Sequence, residues 1–158
     1  MTRIVLSLLI LILSTDKLIA ENIPIIVIAP SKKAQSISTV GSTTTVFDES
    51  SINNTNDFFL GDVLGNRTTS FNFFQTGGHG TNSGIQLRGL PKRYTTVYID
   101  GVKMSDPSSP SNDFYFDHIL KNQISRVEIL KGNQSSVYGS GAIGGTINIT
   151  TKRGRPGF

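Results

Sequence analysis

The chain has 158 residues, no cysteine, no tryptophan, sixteen glycines and a formal net charge of +4. That length allows one modest domain, and the lack of cysteine excludes disulfide scaffolding and a lipid anchor on an N-terminal Cys. Lysine and arginine are scattered along the chain, so the surplus reads as solvated surface and excludes a nucleic-acid footprint.

Arg3, the apolar run Ile4–Leu13 broken only by Ser7, and a polar stretch closing at Leu18-Ile19-Ala20 have the layout of a secretory signal peptide over residues 1–20. The run is short for a membrane-spanning helix. An N-terminal anchor helix left in place is the alternative. Next along the chain is Ile23-Pro24-Ile25-Ile26-Val27-Ile28, with Pro30 beyond it. The β-branched residues favour an extended backbone, while the flanking prolines lack the N–H that a central strand must donate. Ser31–Thr45 is Ser/Thr-rich and reads as a linker or a weak edge strand. Residues 21–45 therefore form an extended leader to a domain spanning 46–152.

Within that domain, Asn56-Asp57 predicts the N-cap of a short helix carrying Phe58, Phe59, Leu60, Val63 and Leu64, closed by Gly65-Asn66. Phe71–Gly84, which contains Gly77-Gly78-His79-Gly80, predicts a loop. Ile85–Gly89 predicts a short strand. Thr95–Ile99 and Val102–Met104 flank Asp100-Gly101, a hairpin signal because both turn residues tolerate positive φ. Asp106–Asn112, with two prolines, predicts an irregular loop. Asp113 predicts the cap of a second short helix with Phe116, Ile119 and Leu120 on one face. Arg126–Leu130 and the alternating Thr146–Thr151 predict two further strands. The sum is an α+β domain, a small mixed β-sheet with short helices and long loops.

Catalytic chemistry finds little support. The only two histidines, His79 and His118, have no neighbouring Cys or carboxylate cluster, so no metal or cofactor is expected. No G-x-S-x-G elbow is present. Asp113 and Asp117 read as a helix cap and a solvated acid. Gly139-Ser140-Gly141-Ala142-Ile143-Gly144 spells G-x-G-x-x-G, but a dinucleotide loop opens a helix, and Thr146–Thr151 is a strand pattern. An enzyme is not expected.

Four motifs succeed one another along the chain. They are Ile85-Gln86-Leu87-Arg88-Gly89, then Val97-Tyr98-Ile99-Asp100-Gly101-Val102, then Ile124–Gly132 with Arg126-Val127-Glu128, and lastly Ser136-Val137-Tyr138-Gly139 with Gly141-Ala142-Ile143-Gly144-Gly145-Thr146-Ile147-Asn148-Ile149. This succession resembles the plug domain of TonB-dependent outer-membrane receptors, nearest to the vitamin B12 (cobalamin) branch, over residues 23 to about 152.

The resemblance implies a plug that sits in the lumen of an outer-membrane β-barrel with its N-terminus facing the periplasm. Such a plug gates uptake of a scarce nutrient such as cobalamin or an iron chelate. It implies as partners a TonB-type energy transducer, a barrel of its own or of another chain, and the nutrient. It places the TonB box at Ile23, Pro24, Ile25, Ile26, Val27 and Ile28, where a partner would add a strand; an edge strand of the plug is the other reading. It places basic residues that lock plug to barrel at Arg88 and Lys131, where solvated charges are the other reading. Lys131 stands where Arg is usual, and Lys lacks the bidentate fork. Gly89, Asp100, Gly101, Arg126, Glu128, Tyr138, Gly139, Gly144, Gly145 and Asn148 fall on the plug motifs, the glycines serving tight turns and close backbone approach. Residues 153–158 then read as the start of a missing β-barrel or as a tail. The second functional reading is a free-standing periplasmic interaction or signalling module on the same fold.

Overall fold

The computed structural model describes residues 25–29, 31–111 and 113–154. The signal-peptide reading of residues 1–20, and Ile23 and Pro24, lie outside the described residues. In chain order the elements are β1 (Ile26–Val27), β2 (Gln35–Ser36), β3 (Thr43–Asp48), α1 (Glu49–Asn53), α2 (Leu60–Arg67), β4 (Phe71–Gln75), β5 (Ser83–Leu87), β6 (Thr95–Ile99), β7 (Val102–Met104), β8 (Ile124–Lys131), α3 (Ser135–Tyr138) and β9 (Gly145–Thr151).

The main sheet has the order β3-β8-β9-β6-β7. Strand β9 pairs antiparallel with β8 and parallel with β6, which makes the sheet mixed. Side chains alternate between faces along a strand, and the register lines up two distinct rows. On one face Phe47, Val127, Ile149, Ile129, Ile147 and Val97 stand opposite one another across four strands. All are buried, and they join Ile52, Leu60, Leu64, Ile85, Leu87 and Phe116 in one core. Burying each such side chain contributes about 1.5–3 kcal/mol. On the other face, Glu128 stands opposite Asn148, and Asn148 opposite Tyr98. That polar row is covered by the N-terminal segment. No closed barrel occurs among the described residues.

The Asp100-Gly101 hairpin forms as expected, with φ of 48° and 85° at the two turn residues. Three expectations are corrected. The Asn56-Asp57 cap is not used: α2 begins at Leu60, whose N–H donates to the Ile119 carbonyl at 2.9 Å, and it continues through Gly65-Asn66 to Arg67. A tertiary backbone pair replaces the side-chain cap. Phe71–Gly84 is not a loop throughout, because β4 pairs antiparallel with β5 from Phe71↔Leu87 to Gln75↔Ser83. The pairing is held by Phe71 in the core and by Phe73, whose ring lies against Gly61 and whose β-carbon lies against Gly65, where side chains on α2 would block it. The helix expected after Asp113 is absent. Asp113 Oδ2 pairs with Lys92 at 3.2 Å and the Phe116 N–H donates to the Ser83 hydroxyl at 2.9 Å, so tertiary partners stand in for helical ones, while the buried Asp113 Oδ1 has no hydrogen-bond partner among the described residues. Phe114 and Phe116 pack edge to face with centroids 5.1 Å apart, and aromatic side chains favour a helix only weakly.

Candidate functional site

The polar row positions the first group of residues. Arg126 and Glu128 are two apart on β8 and so share a face. The Arg126 Nε donates to Glu128 Oε1 at 2.8 Å. Glu128 Oε2 accepts two more hydrogen bonds, from the Ile28 N–H at 3.0 Å and the Ala29 N–H at 2.8 Å. The carboxylate is 2% exposed, and its burial is offset by these three donors. Beside it the Tyr138 hydroxyl donates to the Ala29 carbonyl oxygen. Tyr98 packs on Tyr138 at 5.1 Å between centroids, and the Lys32 ammonium lies 5.2 Å from the centre of the Tyr138 ring. Burial first, then Tyr98 and Glu128, push the Tyr138 phenol up to about 12, so it remains a donor across the ordinary pH range.

The segment held here is the described part of Ile23–Ile28. Strand β1 pairs antiparallel with β2 through Ile26↔Ser36 and Val27↔Gln35, and the Ile37 N–H donates to the Ile25 carbonyl at 2.8 Å. Val27 is fully buried, whereas Ile25 and Ile28 are about half exposed. The structure therefore brings Ile25–Ala29 together with Glu128, Tyr138 and, through the lining of one cleft, Asn148.

A second group lies at the other end of β8. Lys131 continues the core-facing row and is nearly buried; its ammonium donates to the Thr69 carbonyl at 2.8 Å. Burial, and the neighbouring Arg88, hold the Lys131 pKa below its ordinary value. Arg88 is exposed and sits in the turn Leu87-Arg88-Gly89-Leu90, with φ of 56° at Arg88 and 75° at Gly89. Its guanidinium lies over Gly132. Among the described residues no carboxylate forms an ion pair with Arg88 or Lys131.

The glycine-rich stretch connects β8 to β9. Gly139 comes directly after α3 with φ of 89°, and the loop closes through Gly132 N–H to Gly144 carbonyl at 3.0 Å and Gln134 N–H to Ala142 carbonyl at 2.8 Å. A β-carbon at Gly144 would come within 3.1 Å of the Tyr94 carbonyl, and one at Gly145 would overlap the Leu130 carbonyl. The stretch leads into strand β9 and not into a helix, so the phosphate cradle of a dinucleotide loop is not built.

Sequence reasoning did not anticipate two ties. Asp100 accepts from the Thr151 N–H at 2.9 Å and from its hydroxyl at 2.5 Å, stapling the β6–β7 turn to the end of β9. The Tyr138–Ala29 bond joins residues 109 positions apart. The period-2 placement of Arg126 and Glu128, opposite Val127 and Ile129, was the one available signal that these charges share a separate face.

Comparison with known proteins gives the family and the fold. A family described as the TonB-dependent receptor plug domain matches residues 36–146. A vitamin B12 transporter, BtuB of Vibrio vulnificus (strain CMCP6), is 32% identical over 126 residues, covering 80% of this chain and 20% of the relative. The chain belongs to the TonB-dependent receptor plug domain family, and it spans about a fifth of the length of this curated relative. Among solved structures, the ferric yersiniabactin uptake receptor FyuA of Yersinia pestis is similar with a TM-score of 0.52 at 25% identity, over 71% of this chain and 17% of that one. The siderophore receptor PirA of Pseudomonas aeruginosa gives 0.52 at 26%, over 71% and 18%. FpvAI, in a complex with pyocin S2, gives 0.64 at 17% over 81% and 16%, a likeness of fold alone. BtuB is named as a transporter, and FyuA and PirA as receptors.

Proposed function

We propose that this chain acts as the plug of a TonB-dependent outer-membrane receptor and gates energy-dependent uptake of a scarce nutrient of the cobalamin or iron-chelate class. The observation that carries the reading is the cation pair Arg88 and Lys131, which among the described residues meets no carboxylate. A nearly buried cation such as Lys131 is costly without an anion, and carboxylates on the inner wall of a surrounding barrel would supply the counter-charge. A barrel lumen is polar and wet, which suits a domain whose outer surface carries long polar loops. Ile23–Ile28 serves as the TonB box, offered to an inner-membrane energy transducer by strand addition. Residues 1–20 serve as the export signal, and 46–152 as the plug proper. The protein then resides in the outer membrane with the plug's N-terminus toward the periplasm.

The test is uptake by cells in which the gene is deleted, comparing labelled cobalamin with labelled ferric chelates, with and without a functional transducer. Loss of energy-dependent uptake of one class is expected. Unchanged uptake of both classes would overturn the reading.

A further inference from the structure

We propose that His79 is a proton-operated latch. The charged imidazole clasps the tip of the β4–β5 hairpin onto the first turn of α2 at Asp62, and the neutral imidazole lets the tip swing away and uncover Phe59. Nothing in this latch depends on reading the chain as a plug.

Local geometry sets the contact. Phe59 directly precedes α2, and Asp62 lies in its first turn. Residues three positions apart on a helix are neighbours on its surface, so one group from outside can meet both. His79 does so. Its ring stacks on Phe59 with centroids 5.5 Å apart and planes inclined by 23°, and its Nδ1 lies 3.8 Å from Asp62 Oδ2. That oxygen is buried and has no hydrogen-bond partner among the described residues. A buried carboxylate oxygen without a donor is costly. The charged imidazole carries a donor on both ring nitrogens, and a small further approach brings Nδ1 within hydrogen-bond distance.

The chain around His79 permits movement. The base of the hairpin is fixed: the Thr76 N–H donates to the Asn82 carbonyl at 3.1 Å, and the Ser83 hydroxyl accepts from the Phe116 N–H. The tip between them holds Gly77, Gly78 and Gly80. A β-carbon at Gly78 or Gly80 would meet nothing within 4 Å, and Gly80 has φ of 81°. The His79 side chain is 74% exposed, so the stack and the carboxylate hold it in place.

Charge fixes the direction of the switch. Burial first raises the Asp62 pKa, the His79 charge opposes that rise, and Asp57 adds to it. The other charged groups around α2 are engaged elsewhere. Arg67 donates to the Ser51 and Asn54 carbonyls, Lys121 to the Asn53 and Thr55 carbonyls, and Asp117 pairs with His118 at 3.3 Å. Strands β4 and β5 carry no titratable side chain. Histidine changes charge between about pH 5 and 8. As pH falls through that range the imidazole gains its proton and the tip closes on the Asp62 carboxylate. Stronger acid then neutralises Asp62 and releases the tip again. Above neutrality the open state uncovers the Phe59 ring, next in the chain to Phe58, which is already 77% exposed. The latch therefore offers an aromatic surface at higher pH and withdraws it in mild acid.

The test uses the isotope-labelled full chain in detergent micelles. It follows by NMR the His79 ring and the Gly78 and Gly80 amides from about pH 6 to 8. In the parent, the closed-to-open ratio read from the His79–Phe59 ring contact should fall about threefold across this range, as for an exposed ion pair. Asp62→Asn should lower the His79 midpoint by about half a pH unit, the same threefold factor. His79→Phe keeps a stacking ring and leaves α2 untouched, so it remains informative if Asp62→Asn disturbs the helix. It should abolish the pH response of the glycine amides. A His79 midpoint equal in parent and Asp62→Asn overturns the latch. So does a ring contact that is the same at both ends of the range, or a glycine response that survives in His79→Phe.

Discussion

Arg88 and Lys131 stand side by side at one end of the central sheet, and burial first, then the Arg88 guanidinium, holds the Lys131 pKa below its ordinary value. The pair is repulsive within the plug, and it is this uncompensated charge that the proposed barrel carboxylates would meet. Arg88 reaches this place because the Leu87–Leu90 turn puts it over Gly132. Lys131 reaches it as the last residue of β8.

The lowered Lys131 pKa, caused first by burial and then by Arg88, fixes the sign of a pH effect. The unfolded chain binds this proton more tightly than the folded one, so the charged form costs stability below the folded value. Stability from this group therefore rises as pH climbs from that depressed value toward the ordinary 10.5. Urea midpoints measured across this window should rise for the parent relative to Lys131→Met. A falling difference would show an ammonium favoured by the fold.

Tyr138 gives the opposite slope at higher pH. Its folded pKa is raised from 10.0 to about 12, so its contribution is complete below the unfolded value and is lost between pH 10 and about 12. Ultraviolet titration should show a late tyrosine transition that disappears in Tyr138→Phe. The segment Ile25–Ala29 should loosen over the same interval.

Two glycines separate sterics from backbone strain. At Gly145 a β-carbon would overlap the Leu130 carbonyl and the Leu87 side chain, while at Gly139, with φ of 89°, the space is open. Gly139→Ala should cost about 1–3 kcal/mol from backbone conformation alone. Gly145→Ala adds overpacking of about 1–3 kcal/mol, so its thermal midpoint should be the lower of the two. The reverse order would place the strain elsewhere.

Amide exchange should divide the domain. Strands β8 and β9, paired on both sides and built on Val127, Ile129, Ile147 and Ile149, should exchange slowly. Gly77–Gly80 and residues 107–111 have few backbone partners and should exchange fast. Uniform protection across all four segments would contradict this.

How much of this was legible before folding depends on whether the cause was local. The Asp100-Gly101 turn was readable because positive φ is a property of two adjacent residues. Strands β8 and β9 were readable because alternation is written along each of them. The Gly139–Gly144 stretch was separable from a nucleotide loop because the residues after it alternate. Phe71–Gln75 was not readable as a strand, since its pairing depends on Ser83–Leu87 and on Phe73 packing against two glycines of α2. The start of α2 was misplaced for the same reason, because its first N–H is satisfied by the distant Ile119 carbonyl.

The sequence by itself determined the mixed-sheet character, the order of motifs and the family, because alternation, turn chemistry and motif order are local or linear properties of the chain. Only the tertiary structure decided where Ile25–Ala29 goes. Two prolines and a β-branched run set that segment's preference for extension, but its partners, Glu128 and Tyr138, lie about a hundred residues away. A hydrogen bond over that separation depends on the register of β8 against its neighbours and on α3, which presents Tyr138. No local pattern encodes either one.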